Sequence, residues 1–95
     1  MSQDNELAEV QAEIALGLDC EAFMQSSAGR YLQARANQEI ETALERLKTV
    51  DPTDPEAVRR LQNDVRVAEA FLIWMGEAVT SGEQAQKLFI EAHGS

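Results

Sequence analysis

The side chains best suited to nucleophilic or acid–base chemistry are one histidine and one cysteine, and neither has partners at catalytic spacing. His93 is the single histidine, and a metal site or a general base needs further residues held at fixed distances from it. Cys20 lies between Asp19 and Glu21, whose negative charges disfavour the reactive thiolate. We therefore predict that the protein is not an enzyme, that His93 is solvated and that Cys20 packs as a small apolar residue.

Carboxylates and glycines are the remaining candidates for binding metal or phosphate. The 17 acidic residues show no calcium-loop spacing and have no support from histidine or cysteine ligands. Gly76 and Gly82 are isolated, whereas a phosphate-binding loop needs several glycines close together. We expect no cofactor and no metal site.

The charge of the chain is strongly negative and unevenly distributed. Its 95 residues carry a formal net charge of -9, and residues 1–21 contain six acidic residues and no basic one. Such a field disfavours direct binding to nucleic acid or to an anionic membrane, because both need Lys or Arg contacts to phosphate. A protein partner with a basic surface is favoured instead.

Residues 1–18 form a predicted acidic amphipathic arm that can dock onto a partner. Apolar positions at helical spacing alternate there with carboxylates, the two sets being Leu7, Val10 and Ile14, and Glu6, Glu9 and Glu13. Three interpretations are open. The helix packs on its own chain, it lays its apolar side chains into a partner groove, or its carboxylates imitate the phosphates of a nucleic acid.

The densest basic group of the sequence consists of Arg59, Arg60 and Arg66. Arg60 precedes Asp64 by four residues, so one interpretation is an ion pair within a helix. The other is a small basic patch for an acidic partner, such as the N-terminal arm of another subunit.

The most regular apolar pattern follows a helix in the second half of the chain. Its spacing alternates between three and four residues, at Val58, Leu61, Val65, Ala68, Leu72, Met75 and Val79. A second row on a neighbouring face contains Val67, Phe71, Trp74 and Ala78. A helix with two apolar faces must be covered on more than one side. Core packing and a subunit interface are both open for these residues, and we predict an interface at Val67, Phe71, Leu72, Trp74 and Met75.

Local signals predict an all-α fold without strands. Pro52 ends one helix, while Asp54 and Pro55 suit the cap and the first position of the next. The result is a long antiparallel helical hairpin over about 27–49 and 55–79, which forms a helical bundle by self-association.

Shorter helices are expected at both ends of this hairpin. Gly17 is expected to close a helix over 4–16 as its C-cap, and Asp19 to open a short helical turn over 20–25. Ser81 with Gln84 resembles a capping box that opens a last helix, which frays at residues 94–95. The predicted organisation is an arm over 1–18 and a single helical domain over 19–95.

Two segments together carry a resemblance to a known group of proteins. They are Gly29-Arg30-Tyr31-Leu32-Gln33-Ala34-Arg35-Ala36 and Leu61-Gln62-Asn63-Asp64-Val65-Arg66-Val67-Ala68-Glu69-Ala70-Phe71, followed by Trp74 and Gly82. With them the chain resembles small uncharacterised helical proteins encoded by tailed bacteriophages, over residues 16–86. The resemblance implies an accessory or virion-associated protein working in a bacterial cell. It transfers no functional residue, because the motifs are packing patterns.

The leading hypothesis is a non-enzymatic protein–protein interaction module that acts as a homo-oligomer in a phage accessory or virion-assembly role. The alternative is an acidic inhibitor of a host nucleic-acid-binding or defence protein. A third hypothesis is an oligomer that holds a small ligand between subunits near Tyr31, Arg30 and Arg35. A single cysteine, no signal-peptide pattern and no bilayer-length apolar run predict a location in the host cytoplasm or in the virion.

Overall fold

Every regular element in the described part of the chain is an α-helix. The computed structural model describes residues 3–93, with side chains from residue 5 onward. Helix α1 spans Gln3–Gln25, α2 spans Ser27–Thr49 and α3 spans Pro55–His93, and no strand occurs in this range. The all-α prediction is confirmed, as are the bounds of α2. The expected fraying at 94–95 lies outside the described residues.

Helices α1 and α2 are separated by Ser26 alone. Its amide donates hydrogen bonds to the carbonyl oxygens of Ala22 and Phe23, at 3.1 and 3.0 Å. Its hydroxyl also donates to the Phe23 carbonyl oxygen. Ser26 therefore satisfies carbonyl groups that the end of α1 leaves without helical partners.

The connection between α2 and α3 is held by two aspartates. The Asp51 carboxylate accepts hydrogen bonds from the amide and the hydroxyl of Thr53, at 2.9 and 2.7 Å. The Asp54 carboxylate accepts one from the Ala57 amide at 3.1 Å, which is the side-chain cap expected at a helix N-terminus. Pro55 then occupies the first helical position, as predicted from the sequence.

The chain divides into two compact units, and α3 contributes to both. In the first unit α1 packs with the part of α3 from Met75 onward. The second unit is Ser27–Trp74, which contains α2 and the part of α3 up to Trp74. The boundary expected between an arm ending at residue 18 and a domain starting at residue 19 stays a prediction.

Small residues make the helix contacts in both units. Among the described residues no side chain larger than that of alanine is buried, and the buried positions are Gly17, Gly82 and Ala85 in the first unit and Gly29, Ala36 and Ala43 in the second. The last three recur every seven residues and so lie along one face of α2. Small side chains let helix backbones approach closely, and the larger apolar side chains are half-buried or exposed.

Two predicted breaks between helices are wrong. Gly17 lies inside α1 with a negative φ, so it is not a C-cap, and Asp19 lies inside the same helix. Ser81 and Gln84 lie inside α3, which continues to His93 instead of stopping near Val79. The terminal helices are therefore not shorter additions, because α1 has 23 residues like α2 and the last segment belongs to α3.

Candidate interaction surfaces

One exposed apolar surface on α3 is the row that we call the outer face, defined by Val67, Phe71 and Trp74. Val67 is 63% and Trp74 is 68% exposed, and Phe71 is half-buried. Their spacing places the three side chains within about 60° around the helix axis. Leu72 and Met75, which were predicted to share the interface, are half-buried and belong to the other apolar row of the helix.

A groove adjoins the outer face within the second unit. Its volume is about 400 Å³, and its apolar lining comes from both helices: Leu32 and Ala36 of α2, and Val67, Ala68 and Phe71 of α3. An apolar floor of this kind, enclosed by charged side chains, has the composition of a protein interface with a polar rim. Leu32 was not predicted as an interface residue, because its helical spacing is equally typical of a core position.

The rim of this groove is formed by Arg35, Glu39 and Asp64. The Arg35 Nε donates a hydrogen bond to Glu39 Oε1 at 2.9 Å. This carboxylate, followed by the Tyr31 hydroxyl, raises the pKa of Arg35 above its ordinary value. The guanidinium therefore stays charged at the rim. The Arg35–Glu39 ion pair stabilises the fold only slightly, because both partners are exposed to solvent.

The described part of the acidic arm, residues 3–18, belongs to α1 and packs on α3. Leu7 and Val10 line a groove of about 470 Å³ together with Leu88 and Phe89 of α3. Val10 and Ile14 are half-buried and Leu7 is 37% exposed. This packing supports the interpretation that the arm packs on its own chain. Docking of the same apolar side chains into a partner groove stays a prediction.

The carboxylates of the arm remain at the surface. Glu6, Glu9 and Glu13 are all exposed, and their spacing places them within about 60° around α1. We call this set the acidic face. The packing of α1 on α3 fixes these charges on a folded element, so that they form an ordered array.

A basic surface lies near the start of α3, in the second unit. Arg59, Arg60 and Arg66 line a groove of about 450 Å³ with Glu56, Gln62 and Asn63. Among the described residues the two ion pairs are Arg35–Glu39 and Lys48–Glu45. The Arg60–Asp64 pair, one of the two interpretations of these arginines, is not formed, and the three arginines are exposed.

The two residues considered for chemistry have packing partners or partial burial. The imidazole of His93 lies 4.8 Å from the ring of Phe89, centroid to centroid, one turn earlier in α3. Cys20 is half-buried in α1. In the part of the chain that the structure describes, no three His, Cys, Asp or Glu side chains lie close enough together to hold a metal ion.

No protein-family model, curated protein or solved structure matches this chain. Within residues 3–93, no helix combines the length and the apolar character that a membrane crossing requires. The exposed surfaces described above are therefore the basis for inferring function.

Proposed function

We propose that this chain is a non-enzymatic helical interaction module that forms a homo-oligomer through the outer face of α3. The setting we propose is a phage accessory or virion-assembly role, in the host cytoplasm or in the virion, and it rests on the resemblance to phage-encoded helical proteins. An antiparallel hairpin of α2 on the first part of α3 belongs to the same proposal. The short connection over 50–54 favours that arrangement.

The observation that carries the proposal is the exposure of Val67 and Trp74 on one helix face. Both side chains are more than half exposed, and the described residues bury no side chain larger than that of alanine. Covering a large apolar side chain stabilises an assembly by about 1.5–3 kcal/mol. Tryptophan is also among the residues that contribute most to protein interfaces. A second copy covering the outer face would remove this surface from water.

The groove beside the outer face supports the same conclusion. Leu32 and Phe71 continue the apolar surface inward from Val67, and the rim carries charges of both signs. A self-complementary twofold contact needs one surface that offers both an apolar projection and an apolar recess. The outer face and the adjoining groove provide these two features within one unit.

The test compares two charge-introducing variants by light scattering. Trp74→Glu places a carboxylate in the outer face, whereas Ile73→Glu places one on a side chain that is also exposed, at 52%, but lies about 100° away around the helix. We expect a dimer or larger assembly for the unchanged protein at low and at high salt. Trp74→Glu should be monomeric, and Ile73→Glu should keep the assembly. Equal masses for the two variants, with unchanged helicity, would exclude the outer face as the seam.

A second candidate function is inhibition of a basic nucleic-acid-binding protein of the host. The observation that favours it is the ordered acidic face, in which three exposed carboxylates lie along two turns of α1. We expect the chain to release labelled duplex DNA from a purified basic DNA-binding protein, more strongly at low salt. Glu6→Gln/Glu9→Gln/Glu13→Gln should abolish release, while Glu41→Gln/Glu69→Gln/Glu83→Gln should not. Release that both variants retain would count against this candidate.

A further inference from the structure

The geometry points to a second contact between copies, and we propose that the acidic face of one copy docks on a basic face of another. The basic face is defined here by Arg59 and Arg66 of α3, with Arg60 beside them. This proposal rests on the proposed function, since it requires that the chain self-associates. It adds a contact that is distinct from the outer face in both residues and chemistry.

The three arginines of this surface take part in no ion pair with the described residues. Arg59, Arg60 and Arg66 are exposed, and the ion pairs formed among the described residues involve none of them. The groove that they line also holds the amide side chains of Gln62 and Asn63. Amides donate hydrogen bonds to carboxylates, so the whole surface suits an acidic helix.

The acidic face and the basic face match in spacing. Arg59 and Arg66 are seven residues apart, as are Glu6 and Glu13, and both separations correspond to about 10.5 Å along a helix. Glu9 lies between the two outer carboxylates. Two helices lying side by side can therefore form ion pairs at both ends of the contact without bending either helix.

Charge is unevenly distributed along the sequence. Residues 1–21 carry six acidic side chains and no basic one, and so account for six of the nine net negative charges of the chain. The basic face gathers three arginines with Glu56 as the single carboxylate in their groove. Of the three grooves described above, it is the one whose lining carries a net positive charge. An acidic segment of a second copy meets attraction there.

Exposed ion pairs are weak, so this contact orients copies and does not replace the apolar seam. Each exposed pair contributes at most about fivefold in affinity. Salt has two opposite effects, because it weakens the ion pairs and also screens the repulsion between copies of net charge -9. The salt dependence of the unchanged protein therefore does not decide the question, and an exchange of charges does.

The experiment uses two full-length variants with reversed charges. Glu6→Lys/Glu9→Lys/Glu13→Lys makes the arm basic, and Arg59→Glu/Arg66→Glu makes the basic face acidic. We expect each variant alone to self-associate about tenfold more weakly than the unchanged protein, because like charges now meet. An equimolar mixture should recover the original affinity within about threefold, because arm and face are complementary again across the two variants.

Matched controls carry the same changes in charge at other exposed positions. Glu41→Lys/Glu69→Lys/Glu83→Lys matches the first variant, and Arg30→Glu/Lys87→Glu matches the second. Mixing the two control variants should increase the affinity of association no more than their net charges predict. The readout is sedimentation equilibrium, with circular dichroism as the check on folding.

The outcomes separate this inference from the proposed function. Recovery in the variant mixture and none in the control mixture supports the contact. An unchanged protein that assembles, with variants that show no selective recovery, overturns the charged contact and leaves the outer face intact as the seam. A monomer at every concentration and salt overturns both proposals.

Discussion

Gly17 of α1 and Gly82 of α3 lie in direct backbone contact. A Cβ atom added to Gly17 would be 2.8 Å from the Cα of Gly82, and one added to Gly82 would be 2.7 Å from the Cα of Gly17. Neither glycine has a positive φ, so the requirement is for space and not for backbone freedom. The two helices of the first unit approach as closely as they do because both residues lack a side chain.

We predict that Gly82→Ala destabilises the protein by about 1–3 kcal/mol. Alanine is the better helix former by about 1 kcal/mol, but its Cβ would also lie 3.2 Å from the Glu13 carbonyl oxygen. The three nearest atoms that it meets are all backbone, so the helices must separate. Thermal unfolding followed by circular dichroism should show a lowered midpoint.

Gly76→Ala is the matched control in the same helix. A Cβ added to Gly76 has no neighbouring atom within 4 Å, so we expect the gain in helix propensity without the clash. The midpoint of unfolding should rise or stay unchanged. If Gly82→Ala and Gly76→Ala shift the midpoint alike, the close contact at Gly17 contributes nothing to specifying the fold.

The Gly17 contact also explains which parts of the fold can be predicted from the sequence. The roles of Asp54 and Pro55 at the start of α3 are predictable from the sequence. A helix start depends on local features, here a side-chain hydrogen-bond acceptor and a fixed φ. Gly17 was misinterpreted as a C-cap because its partner, Gly82, is distant in the sequence and only tertiary packing reveals the contact. Ser81 was misinterpreted for a related reason, since a capping residue is also tolerated inside a helix that packing stabilises.

The candidate surfaces can be predicted from the sequence only in part. The row containing Val67 and Trp74 was visible as a second apolar face, because helical periodicity places these residues without any knowledge of partners. Periodicity does not reveal exposure, because Phe71 and Leu72 are half-buried whereas Trp74 is exposed, and the interface at these residues stays a prediction. The absence of an Arg60–Asp64 pair was equally invisible, because correct spacing permits an exposed ion pair and does not enforce it.

The cap of α3 leads to a prediction on stability. Asp54→Ala removes the carboxylate that accepts the Ala57 amide, and we expect a loss of about 1 kcal/mol. Asp54→Asn retains a side-chain oxygen acceptor and should stay within a few tenths of a kcal/mol of the original stability. Urea unfolding of the two variants provides the measurement. A loss of equal size in both would assign the effect to charge instead of capping.

The turn before α3 leads to a prediction on ionisation. The hydroxyl of Thr53, and then its amide, hold the pKa of Asp51 below its ordinary value. At pH values above its ordinary pKa, ionised Asp51 therefore stabilises the folded protein. That contribution is lost as the pH falls through the lowered pKa of the folded state. Thr53→Val removes the hydroxyl donor and leaves the amide, so the pKa of Asp51 should rise part of the way back.

Nuclear magnetic resonance of the Asp51 carboxyl carbon measures this directly. Thr49→Val is the control, because the Thr49 hydroxyl donates to the Arg46 carbonyl oxygen and has no part in the Asp51 turn. The control variant should leave the pKa of Asp51 as it is in the original protein. An unchanged pKa in Thr53→Val would mean that the amide alone stabilises the carboxylate.

Trp74 provides an intrinsic probe of association, because it is the only tryptophan in the sequence. It is 68% exposed in the single chain, so a monomer should emit at the long wavelengths typical of a solvated indole. Covering the outer face with a second copy removes the ring from water, and the emission should shift to shorter wavelength as concentration rises. Val67 lies on the same face, and its spacing from Trp74 in the sequence keeps it out of contact with the indole. Val67→Glu should therefore abolish the shift. Concentration-independent emission at long wavelength, in a protein that sedimentation shows to be oligomeric, would place the seam elsewhere on the molecule.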